Sequence, residues 1–142
     1  MTNGSDKTLL GIDYGTRRIG VAKCDSMGII ASALVTLEVK SRQQALKQIC
    51  ELIAEYHPVG IVFGYPLLAS GDISKKCIEI DRFIELLLPE FDGPIHRTDE
   101  RYTSVEAQSI IHAHGKKVGQ DKKRIDRLAA VLILKRFMDE QQ

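Results

Sequence analysis

The sequence has no long apolar run, no cysteine framework and no excess of either charge. No hydrophobic stretch approaches the ~18 residues of a membrane-spanning helix, and the opening MTNGSDKT lacks the apolar core of a secretion signal. The three cysteines, Cys24, Cys50 and Cys77, are odd in number, widely spaced and without a CxxC pair. That argues against a disulfide frame or a thiolate zinc site and suits reduced thiols in the cytosol. With 20 basic and 19 acidic residues the net charge is +1, so no global field points to nucleic acid, a membrane or an acidic substrate. Internal repeats, low-complexity tracts and Pro/Gly/Ser-rich linkers are also missing. What remains is the expectation of one cytoplasmic domain over residues 1–142, with 1–7 as a flexible tail and no membrane partner. The 44% hydrophobic content is enough to bury about two-thirds of the unfolded surface.

Order along the chain is clearer than composition. Leu9 to Tyr14, Arg18 to Cys24 and Ile29 to Thr36 are apolar runs separated by Gly15-Thr16 and by Asp25-Ser26-Met27-Gly28, which predicts a three-stranded antiparallel meander. Ser41 with Gln44 forms a capping box for a helix that Pro58 stops. Val59 to Phe63 has the look of a buried parallel strand and ends in the loop GYPLLASGD. A second helix follows from about Ser74 to Leu88, then a fifth strand, Pro94 to Thr98, and a helix opened by Thr103 and Glu106 that stops near Gly115. A last helix is expected from Asp121 to Met138, with Ile125, Leu128, Leu132 and Phe137 turned inward. The predicted fold class is therefore α/β: a mixed five-stranded sheet, meander plus two parallel strands, flanked by helices.

Acids stand out against this background. Asp13 lies in LLGIDYGT, an otherwise apolar strand where a carboxylate is costly unless paired or bound to metal. Gly15 and Thr16 beside it allow a tight turn and close approach of a phosphate or another backbone. In TDERYT, Asp99 and Glu100 point to opposite faces of an extended segment, and spacing alone does not choose between them. Asp126 is followed at three and four positions by Ala129 and Ala130, small enough to let its helix approach a sheet closely. Acids from a strand, a post-strand turn and a helix can meet at one sheet edge. Such hard oxygen donors suit Mg²⁺ or Mn²⁺, and two such ions about 3.5–4 Å apart can drive an in-line phosphodiester displacement.

Charge is also uneven locally: Gly115 to Arg127 holds six basic and two acidic side chains. Arg17, Arg18 and Arg101, with Lys116, Lys117, Lys122, Lys123 and Arg124, are the candidate phosphate contacts, binding nucleic acid through its backbone in a salt-sensitive way. His57, His96, His112 and His114 show no ligand spacing and are given no role.

Four blocks in order, GIDYGTRRIGVA, IVFGYPLLASGD, TDERYTSVEA and IDRLAAVLILKRF, resemble the motif blocks of the YqgF (RuvX-like) family, from Leu9 to Phe137. The resemblance implies an RNase H-like fold and a nuclease, described both as maturing the precursor of 16S ribosomal RNA and as a Holliday-junction resolvase acting on branched DNA. It assigns Asp13, Glu100 and Asp126 as the catalytic and metal-binding carboxylates, and so favours Glu100 over Asp99. It also assigns Gly64, Pro66 and Gly71 to a loop that shapes the site rim. Two departures are visible in that loop: Tyr65 stands where Leu is common, and Ser70 where Asp is common. Two rivals remain. DYGT is also similar to the phosphate loop of actin-like ATPases and sugar kinases, which are much longer chains, and a non-catalytic ribosome-assembly module would keep the same fold. Ribosomal particles are a candidate partner. Both a monomer and a homodimer stay open, since junction resolution calls for a dimer and RNA trimming does not.

Overall fold

The computed structural model describes residues 6–100 and 122–141. Five strands, β1 (Leu9–Asp13), β2 (Arg18–Cys24), β3 (Ala31–Glu38), β4 (Gly60–Tyr65) and β5 (Ile95–Asp99), form one sheet in the order β3-β2-β1-β4-β5. The first three pair antiparallel, and β4 joins β1 and β5 in parallel. Three helices are described: α1 (Arg42–Tyr56), α2 (Lys75–Leu87) and α3 (Lys122–Glu140), with a 3-10 turn, Leu88–Glu90, closing α2. The expected helix after Thr103 lies outside the described residues, as do Arg101, Lys116 and Lys117.

Local chemistry sets the boundaries. β3 starts later than the apolar run suggests because the Asp25 carboxylate accepts the N–H groups of Ile29 and Ile30 at 2.7 and 3.1 Å and holds both in the turn. Ser41 caps α1, accepting from Gln44 N–H at 3.1 Å, while Gln44 Oε1 accepts from Lys40 N–H at 2.6 Å. His57 ends α1 in the left-handed region, φ 47°, its N–H bonded to the Ile53 carbonyl. β4 runs past Phe63 because its register with β5 continues through Gly64 to Tyr65, opposite Thr98 and Asp99.

The two faces of the sheet differ in kind. Leu10, Ile12, Ile19, Val21, Ile61 and Phe63 pack against α1 and α2 in the larger core, where Phe83 contacts Tyr14 and Phe63. The other face carries Gly11, Gly20, Ala22, Val62 and Gly64, and α3 lies directly on it. A Cβ at Gly20 would stand 2.0 Å from the Asp126 carbonyl oxygen, and one at Gly11 2.9 Å from Leu134 Cβ. Of the expected helix face, Ile125 and Phe137 are buried, and this close contact corrects the other two positions. Ala129, Ala130, Ile133 and Leu134 are buried against the sheet, whereas Leu128 and Leu132 flank Ile125 and are only partly buried. Sheet glycines and Ala129 and Ala130 let the helix sit close enough for Ile133 and Leu134 to bury, while Leu128 and Leu132 lie to the side.

Gly20→Ala is therefore expected to destabilise the fold by about 3 kcal/mol or more, since backbone must move. Gly71→Ala, where φ is +92° but the space is open, should cost about 1–2 kcal/mol. Urea unfolding midpoints of the two variants test this, and equal losses would contradict the close contact.

Candidate active site

Strand parity brings the first two acids together. On β1, Leu9, Gly11 and Asp13 face α3, with Asp13 at the carboxyl end of the strand. On β5 the same face carries His96, stacked on Phe137 at 4.5 Å, and Thr98, whose hydroxyl donates to Glu140 at 3.1 Å. Glu100 continues that alternation one residue beyond the strand. Its N–H donates to the Tyr65 carbonyl at 3.3 Å, and its carboxyl lies over Gly64, where a Cβ would be 2.6 Å from Glu100 Cδ. Arg136 of α3 bonds the Asp99 carbonyl, fixing the turn. Asp99 itself pairs in register with Tyr65 and falls on the opposite face.

Asp13 and Glu100 are both buried, close enough for each to act on the ionisation of the other. Burial pushes both carboxyls up, Asp13 to about 6 and Glu100 to about 8. For Glu100 the Asp13 charge adds to that rise, and Lys76 opposes it. Lys76 also lowers Asp13, against the upward push of Asp126. Glu100 thus keeps its proton to higher pH than Asp13 does. Among the described residues, Asp13 Oδ1 and Glu100 Oε1 are buried without a hydrogen-bond partner. Lys76 Nζ stands 3.8 Å from Asp13 Oδ1, near enough for attraction and too far for a hydrogen bond.

Asp126 is near this pair but not joined to it. Its carboxylate accepts from Arg18 Nε at 2.6 Å, and among the described residues no three acidic, histidine or cysteine side chains are grouped closely enough to hold one metal ion. The expected three-carboxylate cluster is thus only partly assembled: two acids in contact, and a third occupied by an arginine. The pair alone, all oxygen and with two unsatisfied buried atoms, fits a hard divalent cation.

A cleft of about 270 Å³ opens beside the acids, lined by Asp13, Tyr14, Gly15, Thr16, Arg17, Arg18, Lys76 and Asp126. Gly15 is required by the turn, since a Cβ there would meet the Arg18 carbonyl at 2.5 Å. Pro66 accepts the Ser74 hydroxyl at 2.7 Å, and Gly71 donates to Leu68, so the rim loop is folded on itself. Lys122, Lys123 and Arg124 are exposed on the first turn of α3, with Lys123 paired to Glu38 at 2.6 Å. Tyr65, the departure from the common motif, donates its hydroxyl to Asp81 at 2.8 Å, and Arg97 donates to the other Asp81 oxygen at 2.9 Å. Sequence reasoning missed Lys76, for which no motif exists, and Gly11 and Gly20. The signal for the glycines was present: glycine inside a strand marks close backbone approach.

An acid-lined carboxyl edge on a β3-β2-β1-β4-β5 sheet belongs to the RNase H-like class. Two solved structures share the fold: Thermus thermophilus RuvC in complex with Holliday junction substrate, with TM-score 0.58, 12% identity and 95% of both chains covered, and the Fowlpox virus resolvase with its junction DNA, at 0.57, 10% identity, and 94% and 98% covered. The chain belongs to the RuvX (YqgF) family, matching the family described as "RuvX: Holliday junction resolvase" over residues 7–140. It is 39% identical over 134 residues to the "Putative pre-16S rRNA nuclease" of Roseiflexus sp. (strain RS-1), covering 94% of this chain and 95% of that one. The protein of the same name from Chloroflexus aggregans is 36% identical, with 97% of each covered.

Because both carboxyl pKa values lie above those of an unfolded chain, losing the protons destabilises the fold: the cost is absent below about pH 4 and complete above about pH 8. Asp13→Asn in chelator should therefore raise the melting temperature by several degrees at pH 9 and by little at pH 4.5. Equal melting temperatures at pH 9 would contradict the buried pair.

Proposed function

We propose that this chain is a metal-dependent nuclease that hydrolyses phosphodiester bonds in nucleic acid, with the 5′ end of the 16S ribosomal RNA precursor as its substrate. The observation that carries this is the desolvated Asp13–Glu100 pair, with two oxygens that have no hydrogen-bond partner among the described residues, at the edge of a cleft that also presents Arg17, Arg18 and Lys76. The relatives named "Putative pre-16S rRNA nuclease" support the choice of substrate. Asp13 and Glu100 would hold Mg²⁺ or Mn²⁺, with Asp126 completing the set once it leaves Arg18. Bound there, one or two ions would supply water activation and leaving-group stabilisation. Arg17 and Arg18 hold the sugar-phosphate strand across the cleft, with Lys122, Lys123, Arg124, Arg101, Lys116 and Lys117 extending the contact. A strand held by phosphates alone is positioned without being read for sequence.

Branched DNA is the second substrate, favoured by the family's description as a Holliday junction resolvase. Precursor rRNA, single strands and four-way junctions, incubated with purified protein in Mg²⁺, Mn²⁺ or chelator, discriminate between them. Cleavage of the rRNA precursor should need metal and fall at least 100-fold in Asp13→Asn and in Glu100→Gln. Preferential junction cleavage would replace the RNA assignment. Metal-independent cleavage, or full activity in Asp13→Asn, would sink the site itself, and tight nucleic-acid binding without cleavage would indicate an assembly module on ribosomal particles.

A further inference from the structure

α2 begins against its own electrostatics. Its first two residues are Lys75 and Lys76 and its first turn has no acid, although the amino end of a helix carries partial positive charge. Ser74 fixes this end, accepting from Cys77 N–H at 3.2 Å and donating to the Pro66 carbonyl at 2.7 Å. From there Lys76 reaches over the carboxyl edge of the sheet into the cleft, where Arg17 and Arg18 also stand. Its contact with Asp13 Oδ1 is loose, 3.8 Å, and its side chain stays 46% exposed. A lysine serving only as the counter-charge of a buried acid would close to hydrogen-bond distance and leave solvent.

Resting on the nuclease reading, we infer that Lys76 is a phosphate-binding residue for the nucleic-acid substrate, lying against Asp13 in the free protein and moving onto a backbone phosphate when a strand enters the cleft. The move costs little, because no hydrogen bond to Asp13 is broken. It also turns Asp13 Oδ1 free of its nearest cation. Lys76 therefore acts in opposite directions on the two ligands: its charge opposes a divalent cation at Asp13 in the free protein, and it attracts the strand.

Two titrations of the full chain test this. Calorimetry with Mn²⁺ alone should show Lys76→Gln binding about threefold to tenfold more tightly than wild type, the effect of removing one solvated charge about 4 Å away. Fluorescence anisotropy with a labelled single-stranded RNA in chelator should show the same variant binding about fivefold more weakly, with the slope of log affinity against log salt reduced by about 0.7. Lys76→Arg should restore RNA affinity, and Lys75→Gln, which is exposed and outside the cleft lining, should leave the Mn²⁺ titration at wild-type values. RNA affinity and salt slope unchanged in Lys76→Gln, or Mn²⁺ binding weakened by it, would overturn the inference while leaving the nuclease reading intact. A wild-type protein that binds no nucleic acid would overturn both.

Discussion

The contact between α3 and the centre of the sheet is the constraint on which the site depends. Gly11, Gly20 and Gly64 lie on three adjacent strands, β1, β2 and β4, and a Cβ at any of them would collide with α3 or with Glu100. Glycine is a poor strand residue, costing about 0.5–1 kcal/mol at each position relative to alanine. The burial of Ala130, Ile133, Leu134 and Phe137 against this face offsets that cost. Without the close approach, the first turns of α3 would stand away from β2, and Asp126 would lose its place beside Asp13. Gly64 adds a second consequence: by leaving β4 bare, it makes room for the Glu100 carboxyl.

The opposite face makes this arrangement affordable. Phe63, Phe83, Ile80, Leu87 and Ile49 are fully buried among the β1, β2 and β4 side chains, so most of the large apolar burial lies under α1 and α2. Two carboxyls stripped of water beside each other oppose folding, and they are tolerated because stability is gathered elsewhere. The sheet thus separates the two demands. One face holds large side chains for stability, and the other holds small ones so that charged groups can meet at its carboxyl edge, where ligands of open α/β sheets bind.

Much of this was legible in the sequence. Apolar runs, capping residues and prolines placed the strands and helices, and Asp13 was conspicuous as an acid in an apolar strand. Glu100 was not legible by pattern, because IHRTD has too little amphipathic contrast to show which residues face inward. Only the position of α3, over His96 and Thr98, reveals that even-numbered residues of β5 share the Asp13 face. Motif resemblance supplied the choice that periodicity left open. The seating of α3 was half legible: Ala129 and Ala130 announced a close approach and Ile125 and Phe137 are buried as expected, but apolarity also pointed to Leu128 and Leu132, while the contact is governed by size, which strand glycines announce and hydrophobicity does not. Lys76 had only one signal, a base where the helix end disfavours it.

The three acids are not equally preformed, and the energies say why. Asp13 and Glu100 are fixed by the strand ends, by the Tyr65 carbonyl and by Arg136, so neither can leave its desolvated position without disturbing the sheet. Asp126 is different. Its ion pair with Arg18 joins side chains that are 16% and 37% exposed, and pairs of that kind contribute about 0–1 kcal/mol. Exchanging that arginine for another cation requires only side-chain rotation in an open cleft. The rigid part of the site is therefore the buried pair, whose second ionisation is held back to about pH 8, and the adaptable part is the acid that already has a partner. A cation binding at the pair would have to displace the Glu100 proton, so its affinity would rise with pH up to about 8, with both carboxyl groups already in place before Asp126 contributes anything.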